Sequence, residues 1–578
     1  MFNQKSKNDF SVKAYRGDAK TLLAFDLSKT KTKDFAGFTI KCLPKGKPSY
    51  FLLNNLVFAD TTGHAQDGKQ LPNASVNAPI QKFRWLHVPG SFHQGENPFY
   101  GEYTYTVTPR YFLNKKLQAL DDKLSVSLQI SVAPFSKKQL DIGFTRGFVQ
   151  SQAFVHHFGD KALFKPVKKE LLFDTSKSAG KYKGKSYSFL EEYKWSGFTA
   201  REKVFGILDS VAKDKELFLD VFAYDLSEPD IMKSFLELAK QGRIRIILDN
   251  ASLHHVEAMT KDEDEFEIEF KKQAKSHAAI LRGRFGRFAH DKVMIIYKKQ
   301  KPQVVLSGST NFSVTGMYIN SNHILIFNNP DVAALYASVF NESWNDNVSK
   351  TFNTSQWANK LHPFKANGVP KMNISFSPHK QAFADSNVRE IANRIKAEKS
   401  SVLFAVMGIS NGGGDILKEL KKIYTNQEIF SFGISDSPGG ISLHKPGRKN
   451  GILISGKTSK SILPAPFDKE MSIGSAHQIH HKFVVCGFNS KDPVVYCGSS
   501  NLASGGEAAN GDNLLGIYDE DVATVFAIEA LALVDHFHFR NKFQSKDPQP
   551  LTLHEDDKWV PKYYDPSDLY CVDRELFR

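Results

Sequence analysis

Apolar and polar residues recur with two different periods along this chain. Between about Phe10 and Phe158 the period is two. The runs Gly37-Phe38-Thr39-Ile40, Tyr103-Thr104-Tyr105-Thr106-Val107 and Val126-Ser127-Leu128-Gln129-Ile130-Ser131-Val132 send alternate side chains to opposite faces, and Gly, Pro and Asn turns separate them. This pattern predicts an all-β sandwich of immunoglobulin or fibronectin type over residues 10–160, with Trp85, Tyr103 and Tyr105 in its core. Further on, strand and helix patterns take turns. Leu217–Ala223 reads as a strand, Pro229 opens a helix over Ile231–Ala239, Gly242 closes it, and Ile244–Leu248 is the next strand, which makes a βαβ unit. The same order returns in Ser401–Val406, Ile416–Ile423 and Ile429–Phe432. The Lys-rich stretch within 161–194 reads as an exposed linker, and residues 549–578 as a C-terminal tail that wraps the core.

The second α/β pattern is a copy of the first. His290-Asp291-Lys292 and His480-His481-Lys482 stand 190 residues apart. So do Gly308-Ser309-Thr310-Asn311 and Gly498-Ser499-Ser500-Asn501, and so do Asp331-Val332-Ala333 and Asp521-Val522-Ala523. Chance does not hold one register over several separated matches, so residues 195–350 and 370–548 are expected to be homologous α/β halves. The matched residues are polar and reactive and stand at strand ends, which argues against a purely structural repeat.

Their chemistry is coherent. Alternation along a strand puts His290 and Lys292 on one face, and likewise His480 and Lys482. A phosphodiester is a stable anion, so its cleavage needs a nucleophile and neutralisation of its oxygens. One imidazole attacks and the other protonates the leaving oxygen. Lys292, Lys482, Ser309, Asn311, Ser499 and Asn501 are the candidate phosphate ligands. The glycines Gly308 and Gly498 are expected to let the backbone approach the anion closely. A zinc site from His477, His480 and His481 competes, but no acidic or Cys partner stands at ligand spacing, and neither metal nor cofactor is expected.

Composition narrows the setting. The net charge of +14 favours a polyanionic partner. Lys271, Lys272, Lys275, Arg282, Arg284 and Arg287 lead into His290 and form a candidate phosphate-tracking stripe. The cysteines Cys42, Cys486, Cys497 and Cys571 are few and lack C-x-x-C spacing, and no apolar run resembles a signal or a membrane span. A cytoplasmic protein with free thiols is the expectation.

His-x-Lys followed by Gly-Ser-x-Asn, twice in one chain, resembles the phospholipase D superfamily. The resemblance covers both α/β halves and not the β region. It implies two halves packed as a pseudo-dimer around one active site, and catalysis through a phosphohistidine. The Asp that commonly follows the Lys by five residues in that family is replaced here by Tyr297 and Gly487. The family's His-orienting acid falls on Asn322 and Asp512. Asp512 is expected to serve His480, which would make His480 the nucleophile and His290 the general acid; Glu507 reads as an exposed loop residue. Nucleic acid is the substrate this reading leans to. A phospholipase D or phosphatidyl transferase, with Ser461–Phe467 as a membrane contact, is the alternative, and a non-catalytic polyanion-binding module the third.

Overall fold

The computed structural model describes every residue except 1, 91–92, 95–96, 148–150, 160, 366, 410–413, 438–439, 448–451, 456–478 and 542–550. The period-two region forms two antiparallel sheets. One orders Phe2–Lys7, Phe10–Arg16, Thr21–Leu27 and Arg84–His87; the other is centred on Phe35–Pro44 and the long strand Gly101–Leu113, which also pairs with Val126–Val132. Their inward residues, among them Val12, Phe25, Phe38, Ile40, Tyr103 and Tyr105, share one core with Trp559, Val560 and Tyr563 of the C-terminal segment. The C-terminal residues therefore complete a hydrophobic core and do not merely drape over it.

Each α/β copy is built on its own sheet, and the two central strand orders correspond. In the first sheet Leu140–Phe144, His323–Phe327, Lys301–Gly308, Lys292–Lys298, Leu217–Ala223 and Ile244–Asp249 are successive neighbours. In the second, Lys371–Ser377, Asp512–Tyr518, Val494–Gly498, Lys482–Cys486, Ser401–Val406 and Phe430–Ser437 take the same places. The βαβ units pair their strands in parallel (Val221 with Ile246, Leu403 with Phe432), and the motif strands join antiparallel beside them. The sheets differ at one edge: Ala279–Gly283 adds parallel to the first, whereas Gly440–His444 adds antiparallel to the second.

Two expectations about the organisation change. Phe135–Lys137 and Leu140–Phe144 lie within the span expected to be sandwich, yet they form the outer edge of the first α/β sheet, with Ile142 opposite Leu325. Ser151–Phe158 is helical. Alternation identifies a strand but not the sheet whose edge it joins. The 161–194 stretch is likewise more than a solvated linker. It holds the hairpin Ser178–Tyr182 with Lys185–Ser188, and Phe164, Phe173 and Tyr187 are buried against the first half. Lys169 lies 2.6 Å from Glu265 and 3.3 Å from Asp262, so it pairs with the acidic first turn of the helix Asp262–Gln273. No helix among the described residues is long and apolar enough to cross a membrane, and all four cysteines are free and buried.

Candidate active site

His290 and His480 line the same cleft, a cavity of about 670 Å³ that also takes in Tyr224, Arg287, Asn311 and Asn501. Each His stands two residues before a motif strand, which begins at Lys292 or Lys482, so the strand ends deliver both imidazoles to the place where the two sheets meet. Backbone bonds seal that meeting: His480 N donates to Ser321 O at 3.1 Å, and Gly511 N to Phe288 O at 2.8 Å.

Each imidazole leans on the other half. His290 Nδ1 lies 2.7 Å from Asp512 Oδ1, and His480 Nδ1 lies 2.8 Å from Asn322 Oδ1 and 3.1 Å from the Ser309 carbonyl. This corrects the expected assignment. Asp512 serves His290, not His480, because the orienting side chain crosses between the copies. With Nδ1–H donated to these acceptors, Nε2 of His290 is left for chemistry, and Nε2 of His480 lies 3.4 Å from Lys482 Nζ.

The serines have a different task from the one expected. Ser499 Oγ donates to Asp512 Oδ1 and Ser309 Oγ to Asn322 Oδ1, each at 2.8 Å. Both hydroxyls also accept the backbone N–H of the next residue along, Asn513 at 3.0 Å and His323 at 3.1 Å. Fully buried, they hold the orienting side chains and are not among the residues lining the cleft. Asn311 and Asn501 do line the cleft, and the amide oxygen of each is unpaired among the described residues. The glycines too have a structural reason. Gly308 and Gly498 have φ of 141° and 140°, and a Cβ on either would come within 2.4 Å of the neighbouring strand's carbonyl, that of His323 or Asn513. The neighbouring strand by itself requires glycine at both positions.

Electrostatics separates the groups further. Burial holds the His290 imidazole down to about 4, against the opposing pull of Asp512. The Asp512 carboxyl sits below its ordinary range because His290 and Lys292 outweigh its burial. The pair is therefore a neutral imidazole hydrogen-bonded to a carboxylate. Burial lowers Lys292 to about 8, with Asp512 and Asp291 acting the other way, and it lowers Lys482 well below the ordinary lysine range. Both ammonium groups point back to the motif: Lys482 Nζ donates to His480 O at 2.9 Å, and Lys292 Nζ to His290 O. Tyr224 tops the arrangement, 4.6 Å edge-on from the His290 ring and 4.5 Å below Lys292 Nζ.

Sequence reasoning missed the residues behind the site. The middle residues of the two motifs, Asp291 and His481, point to the opposite strand face. Asp291 accepts from Asn513 Nδ2 at 2.7 Å, and burial raises it to about 7. His481 stacks on His323, ring centroids 5.5 Å apart, and its Nε2 lies 3.6 Å from Glu529. His480 and His481 thus diverge, which removes the shared zinc site; His477 lies outside the described residues. The 190-residue step pairs Asp291 with His481 and His323 with Asn513, so the repeat contained this signal. Glu507, expected on an exposed loop, is buried, bonds Ser500 Oγ, and lies 3.4 Å from His379. Half of the basic stripe is paired with acids. Arg282 bonds Glu267 at 2.7 Å and Asp264 at 3.1 Å, and Lys271 and Lys272 pair with Glu267 and Glu269. Five of the six cations are exposed, all but Arg282, and Arg287 Nε is bonded to Asn510 Oδ1 at 2.8 Å on the cleft wall.

Residues 212–344, which hold the first motif and Asn322, match the family described as "Cardiolipin synthase, PLD-like domain", so this part of the mixed α/β chain is phospholipase D-like. No curated protein matches. Among solved structures, the polyphosphate kinase of Porphyromonas gingivalis is 13% identical over 61% of this chain and 52% of its own, with a TM-score of 0.36, so the chain spans about half its length. Nuc from Salmonella typhimurium, a phospholipase D family member, is 23% identical over 25% of this chain and 88% of its own, TM-score 0.21. The phosphatidylserine synthase of Haemophilus influenzae is 10% identical over 65% and 92%, TM-score 0.41.

Proposed function

We propose that the chain cleaves phosphodiesters through a phosphohistidine on His290, its two α/β halves acting as a pseudo-dimer around one site. The observation that carries this is the crossed pair of contacts, His290 with Asp512 and His480 with Asn322, on one cleft. A neutral imidazole whose Nδ1–H is held by a carboxylate is a strengthened nucleophile at Nε2. Its lone pair forms the N–P bond while the P–O bond to the leaving group breaks. His480, its Nδ1–H held by a neutral amide, acts as the general acid and gives its Nε2 proton to the departing oxygen. Water then attacks phosphorus, His480 takes the water's proton, and the N–P bond breaks to return His290. Lys292, Lys482, Asn311 and Asn501 are assigned to the non-bridging oxygens. Ser309, Ser499, Asp512 and Asn322 hold the rings in place.

The substrate class we favour is nucleic acid, on the net charge of +14 and on Arg287 at the cleft wall. A phospholipid is the second reading, favoured by Leu253, an exposed apolar residue at the cleft edge; the Ser461–Phe467 loop offered for it lies outside the described residues. The test is rapid acid-free quenching of the enzyme with ³²P-labelled plasmid DNA, RNA and phosphatidylglycerol in parallel, then peptide mapping of the label. Label on His290 is expected. Label on His480 would reverse the roles, and turnover with no labelled protein would remove the covalent step.

A further inference from the structure

Thirty-six residues before His290 in the chain, a third imidazole faces the same cleft. His254 stands in the loop between the strand Ile244–Asp249 and the helix Asp262–Gln273. Its ring packs edge-on against Tyr224 with centroids 4.5 Å apart, and Tyr224 packs in the same way against His290. Only one ring therefore separates it from the proposed nucleophile.

Three side chains converge there. One oxygen of Asp225, one of Glu263 and a ring nitrogen of His254 lie within 4.8 Å of one another. All three line the cleft. The loop is held firmly, since Arg282 donates to the carbonyls of Asp249 at 2.8 Å and His254 at 3.3 Å while its other nitrogens bind Asp264 and Glu267. The arginine expected to track phosphates is instead part of the frame that presents His254. Glu263 is fixed by Leu226 N at 3.2 Å, and Asp225 by Ser313 Oγ at 2.6 Å.

The cluster is incomplete as it stands. His254 Nδ1 is engaged by Glu263 at 2.8 Å, but Nε2 is buried and has no hydrogen-bond partner among the described residues, in a residue only 8% exposed. A buried nitrogen left unpaired is costly and calls for a ligand. No Lys or Arg forms an ion pair with Asp225 or Glu263 among the described residues. Two carboxylates beside a site for an anionic substrate repel that substrate unless a cation lies between them.

We infer that Asp225, His254 and Glu263 form a binding site for a divalent cation of the zinc or manganese type on the wall of the reaction cleft. One imidazole with two carboxylates suits such ions better than the all-oxygen sets of magnesium or calcium. Three protein ligands leave coordination positions open towards the cleft. Occupancy of the site does not depend on the proposed reaction. Its role does: the ion turns an acidic wall into one that receives a substrate phosphate next to the one attacked by His290, and takes no part in the N–P bond.

The experiment is titration of chelator-treated full-length protein with Mn²⁺, followed by electron paramagnetic resonance, and with Zn²⁺, followed by calorimetry. Wild type and His290→Asn are expected to bind one ion per chain with equal affinity, which separates this site from the reaction. His254→Gln and Asp225→Asn, with circular dichroism matching wild type, are expected to weaken binding by at least about 10-fold. If either variant is misfolded, Glu263→Gln takes its place. The inference is overturned if no ion binds below millimolar concentration, if the variants bind as tightly as wild type, or if ethanolamine occupies the cluster and the metals do not.

Discussion

His290 and His480 occupy equivalent ends of equivalent strands, yet one rests on a carboxylate and the other on an amide. Asp512 and Asn322 are nearly the same size and accept the same Nδ1–H bond, at 2.7 and 2.8 Å. The difference is one formal charge. A carboxylate stabilises positive charge on its imidazole and raises the nucleophilicity of the far nitrogen, whereas an amide fixes the ring without adding charge. Duplication supplies two alike imidazoles, and in the proposed reaction this one difference gives them separate jobs. The residues beneath diverge as well. Behind His290 lies a neutral-to-acidic chain of Asp291, Asn513 and Ser307; behind His480 lie His481, His323 and the Lys20–Glu529 pair.

The sharpest way to break this comparison is to remove each imidazole in turn. His290→Asn is expected to lower kcat by roughly 10⁴- to 10⁶-fold on every substrate, as loss of a covalent nucleophile does. His480→Asn should cost about 10²- to 10⁴-fold with an alkoxide leaving group, and most of the loss in the first step should return with a 4-nitrophenyl ester, whose departing oxygen needs no proton, while hydrolysis of the phosphohistidine stays slow. Pre-steady-state bursts on the two ester types decide it. If His290→Asn is the variant rescued by the activated ester, the roles are the reverse of those proposed.

The orienting pair comes next. Asp512→Asn makes the two halves alike and should reduce kcat by about 10- to 10⁴-fold with KM little changed. Asn322→Asp alone should cost less. The double exchange Asp512→Asn with Asn322→Asp tests the argument directly: if the charge assigns the nucleophile, the trapped label moves from His290 to His480. Label that stays on His290 in the double exchange would show that the cleft, not the carboxylate, chooses.

The crossing of these side chains marks the limit of what the sequence disclosed. Every residue of the two motifs was legible, because a fixed offset of 190 residues needs no structure to be seen. Such an offset says which positions are equivalent within the copies. It does not say that a side chain of one copy reaches the ring of the other, so Asp512 was expected beside the wrong His. The same blindness explains Ser309 and Ser499, whose hydroxyls serve Asn322 and Asp512 within their own copy, and Arg282, whose partners Asp264 and Glu267 come from the preceding helix. The strand Leu140–Phe144 was legible as a strand but not as the edge of a sheet whose other members begin some seventy residues later. Local periodicity sets the element, and tertiary pairing sets its address.

The ground beneath His480 predicts a stability effect confined to the second half. Lys20 and Glu529 are both buried and paired, joining the N-terminal strands to the long helix Glu520–Asn541. Glu529→Gln strips the partner from a buried ammonium and should destabilise the fold by about 3–5 kcal/mol, measured by urea denaturation at neutral pH. Burial raises the Glu529 carboxyl, but Lys20 and His481 more than offset it and bring it down to about 2, against 4.5 for a free side chain. A lowered acid stabilises the folded state above its unfolded value, so this contribution is complete above pH 4.5 and fades as pH falls towards 2. Wild type should lose stability over that window and the variant should not show the loss.

The smallest effect concerns the two lysines. Burial lowers Lys292 to about 8, with Asp512 and Asp291 holding it up, and lowers Lys482 well below the ordinary lysine range, with Lys292 itself contributing to the fall. A lysine is cationic below its pKa, so kcat/KM should drop tenfold per unit above about pH 8 as free Lys292 loses its proton. On the acid side His290 must be neutral to attack, so activity should fall below about pH 4. A guanidinium keeps its charge throughout this range but does not reproduce an ammonium's geometry. Lys292→Arg is therefore expected to be slower than wild type yet to lose the alkaline limb. If Lys482→Arg abolishes the limb and Lys292→Arg leaves it in place, the free enzyme relies on the second half's ammonium, and the charge asymmetry drawn between the halves runs the other way.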